Sequence, residues 1–132
     1  VVWRVLDGRY LTYAIAEELA EVCPSAGRAT PNAGILLNQG RKYGLRFHGT
    51  SQRPQEVAKT YYTNCPIKYV GQQLGIDMQT KMAREIGLQR ADIAALEQLQ
   101  FYRHDGTAAR PELLTLKYKA KPAGAVRWPD AA

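Results

Sequence analysis

Thr50-Ser51-Gln52-Arg53-Pro54, preceded by Gly40-Arg41-Lys42-Tyr43-Gly44 and the run Leu45-Arg46-Phe47-His48-Gly49, is the stretch on which the reading of this chain turns. Leu45 to Gly49 has the length and composition of a short strand. Pro54 predicts the start of a helix over Gln55–Asn64, because proline in a first turn sacrifices no hydrogen bond. A polar Thr-Ser-Gln-Arg cluster then lies where a strand ends and a helix begins. Ligands of open α/β sheets bind at the carboxyl ends of strands, and a helix N-terminus favours anions such as phosphate. A plainer reading makes Ser51 or Thr50 a helix cap that accepts from an orphan N–H. Both readings can hold at once.

Working outward, Val1–Leu6 and Arg9–Ala16 read as two strands around the Asp7-Gly8 turn, which so short a link would make antiparallel. The pattern turns helical from Glu17 to Val22. Cys23–Pro31 reads as a loop and Ala33–Gln39 as a short helix closed by Gly40. After the central stretch come a strand, Ile67–Val70, and a helix, Asp77–Ile86, with Asp77 as N-cap and Gly87 as stop. Gln89 or Arg90 to Leu99 forms a further helix, with Ile93, Leu96 and Leu99 near one face. Gln100–His104 and Leu113–Tyr118 form a hairpin around Asp105-Gly106. This order predicts a three-layer α/β domain over residues 1–118, with a mostly parallel sheet and a C-terminal β-hairpin. Lys119–Ala132 is expected to be a loose tail.

With 132 residues the chain is one domain or part of one, and 45% hydrophobic residues suffice for a core. No run approaches the ~20 apolar residues of a membrane span, and no signal segment opens the sequence. A net charge of +6 suits a nucleic-acid partner and equally suits a plain basic protein. Cys23 and Cys65 suggest a reducing compartment. Together with His48 and His104 they lack metal-site spacing, which argues against zinc. The opening Val1-Val2-Trp3, without an initiator Met, leads to the expectation of a fragment.

The succession Gly40-Arg-Lys-Tyr-Gly-Leu45, a strand, then Ser51-Gln-Arg-Pro-Gln-Glu-Val57 resembles the P-loop ATPases of the FtsK–HerA superfamily, which are DNA translocases and viral genome-packaging motors. The resemblance covers residues 10–105 and matches the second half of the ATPase core. It implies that Tyr13-Ala-Ile-Ala-Glu17-Glu18 is the Walker B strand and its acids. Glu17 would then hold Mg2+, and Glu18 would be the general base that polarises the attacking water. The family usually has Asp at the first of these places, one methylene shorter than Glu17. The resemblance further implies that Gln52 senses the γ-phosphate of ATP, with Ser51 and Arg53 beside the nucleotide. It makes Arg41 the arginine that reaches a neighbouring subunit's site, and Arg53 the second choice. It also implies ATP and Mg2+ as ligands, DNA as partner, a homo-oligomeric ring and a cytoplasmic location. The bland alternatives are that Glu17, Glu18 and Glu21 form an acidic first turn, and that Arg41 and Lys42 follow a helix C-terminus.

A working enzyme of this type needs Gly-x-x-x-x-Gly-Lys-[Ser/Thr] to cradle the phosphates. Gly44-Leu-Arg-Phe-His-Gly49-Thr50-Ser51 has the glycine spacing but Thr50 where lysine is required, and its first glycine precedes the strand. The phosphate loop is therefore expected upstream of Val1, and the chain alone is expected to be inactive. Two readings stand: the C-terminal part of a DNA-translocating or genome-packaging motor ATPase, or a non-catalytic ATPase-like module that binds nucleic acid or a protein through its basic surface. A winged-helix-like reading of residues 77–99 with the last hairpin is weaker, since Arg90 is the single basic residue of the Gln89–Leu99 segment. The first reading makes a spatial demand: Glu17, Glu18 and Gln52 must meet at the carboxyl ends of two neighbouring parallel strands.

Overall fold

In the computed structural model, which describes residues 6, 8–25 and 31–118, the first strand is β1, Thr12–Ala16. It pairs in parallel with β2, Leu45–Gly49, in the register Thr12↔Leu45 through Ala16↔Gly49. Strand alternation decides the faces. Thr12, Ala14, Ala16, Leu45 and Phe47 turn inward, whereas Tyr13, Ile15, Arg46 and His48 lie on the exposed face. There Tyr13 and His48 stack with ring centroids 5.8 Å apart. Of the expected opening hairpin, Val1–Val5 lies outside the described residues, Leu6 is not in a strand, and β1 starts at Thr12, not at Arg9.

The crossover from β1 to β2 contains α1, Leu19–Val22, and α2, Pro31–Gln39. α2 ends at Gln39, as read, but Gly40 is not its left-handed closing residue: the chain continues as a 3₁₀ turn over Gly40–Tyr43 and closes at Gly44, which adopts the left-handed conformation at φ 81°. Only glycine takes that conformation at little cost. Space demands glycine too: a Cβ on Gly44 would lie 2.5 Å from the Tyr10 carbonyl oxygen.

The expected helix Gln55–Asn64 is broken in two. Pro54–Glu56 makes one 3₁₀ turn, and α3 begins at Lys59 and ends at Asn64. Between them Val57 is extended, 2% exposed, and bridged antiparallel to Pro24. Ser25 N donates to Glu56 O at 2.6 Å, and Ala58 N donates to Cys23 O at 2.8 Å. Burial of Val57 and pairing with the 23–25 segment outweigh local helix propensity, a small term per residue.

β3, Lys68–Gly71, joins β4, Gln100–His104, and β5, Glu112–Thr115, in an antiparallel sheet of order β3-β4-β5. The expected C-terminal hairpin is present, with a shorter second strand. Its turn is fixed by Asp105, whose Oδ1 accepts from Thr107 N, Thr107 Oγ1 and Ala108 N at 2.8–3.1 Å. α4, Ile76–Ile86, starts after Gly75, so Asp77 sits inside the first turn and not at the cap; Gly87 closes the helix as expected. α5, Arg90–Ala94, opens with a reciprocal Gln89–Asp92 capping box and stops well short of Leu99, which has positive φ.

Two cores result. One holds Ala16, Leu19, Cys23, Ala33, Val57 and Tyr61; the other holds Val70, Met82, Ala83, Ile86, Ile93 and Leu96. Tyr62 packs against both, and its hydroxyl donates to the Pro54 carbonyl. Burial pushes the Tyr62 phenol up to about 12, so it remains a neutral donor. No helix among the described residues is long and apolar enough to cross a membrane.

Candidate functional site

The parallel register ends with Ala16 beside Gly49, so whatever follows each strand emerges at the same end of the sheet. After β1 come Glu17, exposed, and Glu18, half-buried. After β2 come Thr50, Ser51, Gln52 and Arg53. Backbone bonds carry the pairing past the strands: Thr50 N donates to Ala16 O at 3.0 Å, and Leu19 N donates to Thr50 O at 2.7 Å. The Thr50 hydroxyl donates to the Glu17 carbonyl. The spatial demand made by the sequence reading is therefore met.

Gly49 is a site of close approach. A Cβ there would fall 2.7 Å from the Tyr61 hydroxyl and 2.8 Å from Leu19 Cδ1. Leu19 and Tyr61, 3% and 8% exposed, thus form the floor beneath the strand ends. Burial raises the Tyr61 phenol above its ordinary value, so it too stays neutral. The sequence reading missed Tyr61. A glycine at the last position of a core strand was the available signal, but it does not name the side chain that fills the space.

Glu18 is extended, at φ −118° and ψ 102°, and caps the four-residue α1. Its Oε1 accepts from Ala20 N at 3.3 Å and from the Ser51 hydroxyl at 2.7 Å. The Ser51 bond, foremost, and the Ala20 N–H lower the Glu18 pKa; the Gln52 N–H and the Arg53 charge add smaller effects. Glu18 is thus an anion at neutral pH, the form that can accept a proton. Ser51 Oγ also accepts from Arg53 N at 3.1 Å, which draws Ser51–Arg53 into a tight turn. Gln52 and Arg53 are exposed, and the Arg53 guanidinium reaches Glu56 at 3.5 Å. A three-residue 3₁₀ turn follows instead of the expected helix. It has too few aligned peptides to offer an anion a macrodipole.

Arg41 is not brought to this end. It is exposed in the 3₁₀ turn that precedes β2, so the whole strand, roughly 15 Å by its rise per residue, separates it from the Ser51 turn. Beside it Lys42 Nζ lies 5.2 Å from the Tyr43 ring centroid. No group of three or more His, Cys, Asp or Glu side chains suited to a metal occurs among the described residues. A carboxylate such as Glu17 nonetheless fits Mg2+, which is commonly held by one or two carboxylates together with phosphate oxygens and water.

No protein-family profile matches the chain. Over 111 residues it is 38% identical to Protein P9 of Pseudoalteromonas phage PM2, a span of 80% of this chain and 50% of that protein. The chain thus spans about half the length of the curated relative it matches. Among solved structures it matches the genome packaging NTPase B204 from Sulfolobus turreted icosahedral virus 2 in complex with ATP-γ-S, with a TM-score of 0.72 at 16% identity, over 81% of this chain and 53% of that one. It also matches the plasmid coupling protein TrwB in complex with ADP and Mg2+, with a TM-score of 0.62 at 19% identity, over 87% of this chain and 32% of that one. At these identities the structural likeness establishes the fold, which is that of a P-loop NTPase domain.

Proposed function

We propose that this chain is the base-and-sensor half of an ATP-hydrolysing motor that packages viral DNA. One observation carries the reading: the β1–β2 register sets Glu17 and Glu18 beside the Ser51–Gln52 turn at one sheet end. The likeness to a phage protein and to a genome packaging NTPase supports it. In this reading Glu18 takes the proton of the attacking water, Gln52 contacts the γ-phosphate, and Ser51 and Arg53 border the nucleotide. Glu17 would hold Mg2+, which would supply positive charge against the negative charge of the transition state. The basic chain, at +6, suits a polyanionic partner. The intact protein acts as a homo-oligomeric ring inside the host cell.

The test is ATP hydrolysis. The 132-residue chain alone is expected to show no turnover and at most weak nucleotide binding, because it contains no lysine-bearing phosphate loop. The protein extended to carry such a loop is expected to hydrolyse ATP with Mg2+ and to be stimulated by duplex DNA. Turnover by the chain alone would show that the phosphate site is elsewhere. A folded, loop-bearing protein without turnover would leave the non-catalytic module as the better reading.

Arg41, at the far end of β2, can serve a site only across a subunit boundary. Rings that mix Arg41→Ala subunits with Glu18→Gln subunits are then expected to recover some of the activity that each variant ring lacks. If mixed rings stay as inactive as the pure variants while wild-type mixtures are active, Arg41 is a helix-end cation, and Arg53 takes its place as candidate.

A further inference from the structure

We propose that the outer edge of β5 is a pairing site for a second copy of this chain, the two strands running antiparallel about a two-fold axis at Thr115. The contact uses none of the residues assigned to the nucleotide and stands apart from the motor reading.

The backbone comes first. β4 and β5 pair antiparallel from Gln100↔Thr115 to Arg103↔Glu112, and Leu116 N extends the ladder by donating to Leu99 O at 2.9 Å. In such a ladder alternate residues turn their N–H and C=O toward one neighbour, and the residues between them turn theirs the other way. Leu116 turns toward β4, and so do Leu114 and Glu112. Leu113 and Thr115 therefore present donor and acceptor outward, where no described strand lies, since β5 closes the order β3-β4-β5. Natural edges are blunted by lysine, proline or a bulge. Here Pro111 and Lys117 flank the strand, but Leu113-Leu114-Thr115-Leu116 contains neither, and its register is unbroken. Leu113 and Leu116 are 51% and 54% exposed, and Thr115 is exposed beside them.

The occupant follows from the strand's self-complementarity. A two-fold contact pairs one patch with itself. An antiparallel register centred on Thr115 sets it opposite Thr115 of the second copy, where the two residues exchange both backbone bonds. Each Leu114 then faces Leu116 of the other copy, while Leu113 faces Lys117 and Glu112 faces Tyr118. Threonine pairs and apolar pairs are favourable across strands, and no like charges meet. Leu114 also pairs with Phe101 within its own sheet, so the apolar row continues across the axis. A polyanion is a poor occupant. The edge offers it leucines, and the nearby Arg103 is already held by Asp105 at 3.1 Å and Glu112 at 3.8 Å.

Sedimentation velocity of the 132-residue chain at rising concentration tests this. The wild-type chain is expected to pass from the mass of one chain to that of two, and no further. Thr115→Pro removes an N–H that β4 does not use, a place where edge strands tolerate proline. Each dimer then loses two bonds at the axis, and association is expected to weaken at least about tenfold with the circular dichroism unchanged. Charge supplies a check that a misfolded variant cannot imitate. Thr115→Lys and Thr115→Glu are each expected to stay monomeric, because like charges meet at the axis, and an equal mixture of the two is expected to recover the dimer. A wild-type chain that stays monomeric at every soluble concentration overturns the pairing and leaves the edge to a strand of another protein. A dimer undiminished in folded Thr115→Pro, or a Lys–Glu mixture that associates no better than either variant alone, puts the contact elsewhere and overturns it equally. Species that grow beyond two chains overturn the closed two-fold.

Discussion

Glu18→Gln, made in the protein that carries its phosphate loop, is expected to lower ATP turnover by roughly 10²–10⁴-fold, the usual contribution of a general base, with nucleotide still bound. The substitution suits the question because it changes little else. Glutamine keeps an oxygen that can accept from the Ser51 hydroxyl and from Ala20 N, the two bonds that Glu18 Oε1 receives at 2.7 and 3.3 Å. It keeps the length of the side chain and its place at the α1 cap. What it loses is the negative charge and the ability to take a proton. Glu17→Gln is the natural comparison. Its side chain is exposed, and in the proposed scheme it weakens Mg2+-dependent activity, a loss that excess Mg2+ offsets in part. Equal and small losses in both variants would mean that the two acids are only the charged first turn of α1. A large loss at Glu18 that excess Mg2+ does not relieve separates proton transfer from metal binding.

The second large effect concerns stability. Gly44→Ala is expected to destabilise the chain on the order of 3 kcal/mol or more, at the upper end for single substitutions. Two causes add. Alanine in the left-handed region costs about 1–2 kcal/mol. In addition, the new Cβ would lie 2.5 Å from the Tyr10 carbonyl oxygen, a backbone atom that cannot swing away as a side chain can. The Gly44 carbonyl also accepts from Thr12 N at 2.9 Å, the bond that begins the β1–β2 pairing. Relief of the clash therefore loosens the sheet at its start. Gly87→Ala is the control. Gly87 has φ +73°, but a Cβ there meets nothing within 4 Å, so it should show the conformational cost alone. Denaturant midpoints at unchanged slope measure both. If the two variants lose the same amount, the contact with Tyr10 relaxes freely and the crossover end is softer than its geometry implies.

Several features were legible because they are written in neighbouring residues. β2 runs from Leu45, just after Gly44, to Gly49, as read. Gly87 stops α4, and Asp105-Gly106 turns the last hairpin, since such positions need few distant contacts. The acids at the exit of β1 were also local, being two adjacent glutamates after an apolar run. The resemblance of the Gly40–Leu45 and Ser51–Val57 segments pointed to the P-loop NTPase fold, and the structural likeness bears that out.

The tertiary structure decided the rest, for one physical reason. Each of these features depends on atoms far apart in sequence, whose energies no local propensity contains. The Gln55–Asn64 helix broke because Val57 found burial and a backbone partner at Pro24. The left-handed glycine that closes the segment after α2 is Gly44 and not Gly40, because a 3₁₀ turn over Gly40–Tyr43 follows the helix. The parallel pairing was demanded by the functional reading but realised only in the register that seats Ala16 against Gly49. Tyr61 beneath Gly49 could not be named from the residues around either one. Above all, Ser51 and Glu18 stand 33 positions apart. The sequence held a serine beside a glutamine and two glutamates after a strand; only folding brought the hydroxyl within hydrogen-bonding distance of the carboxylate.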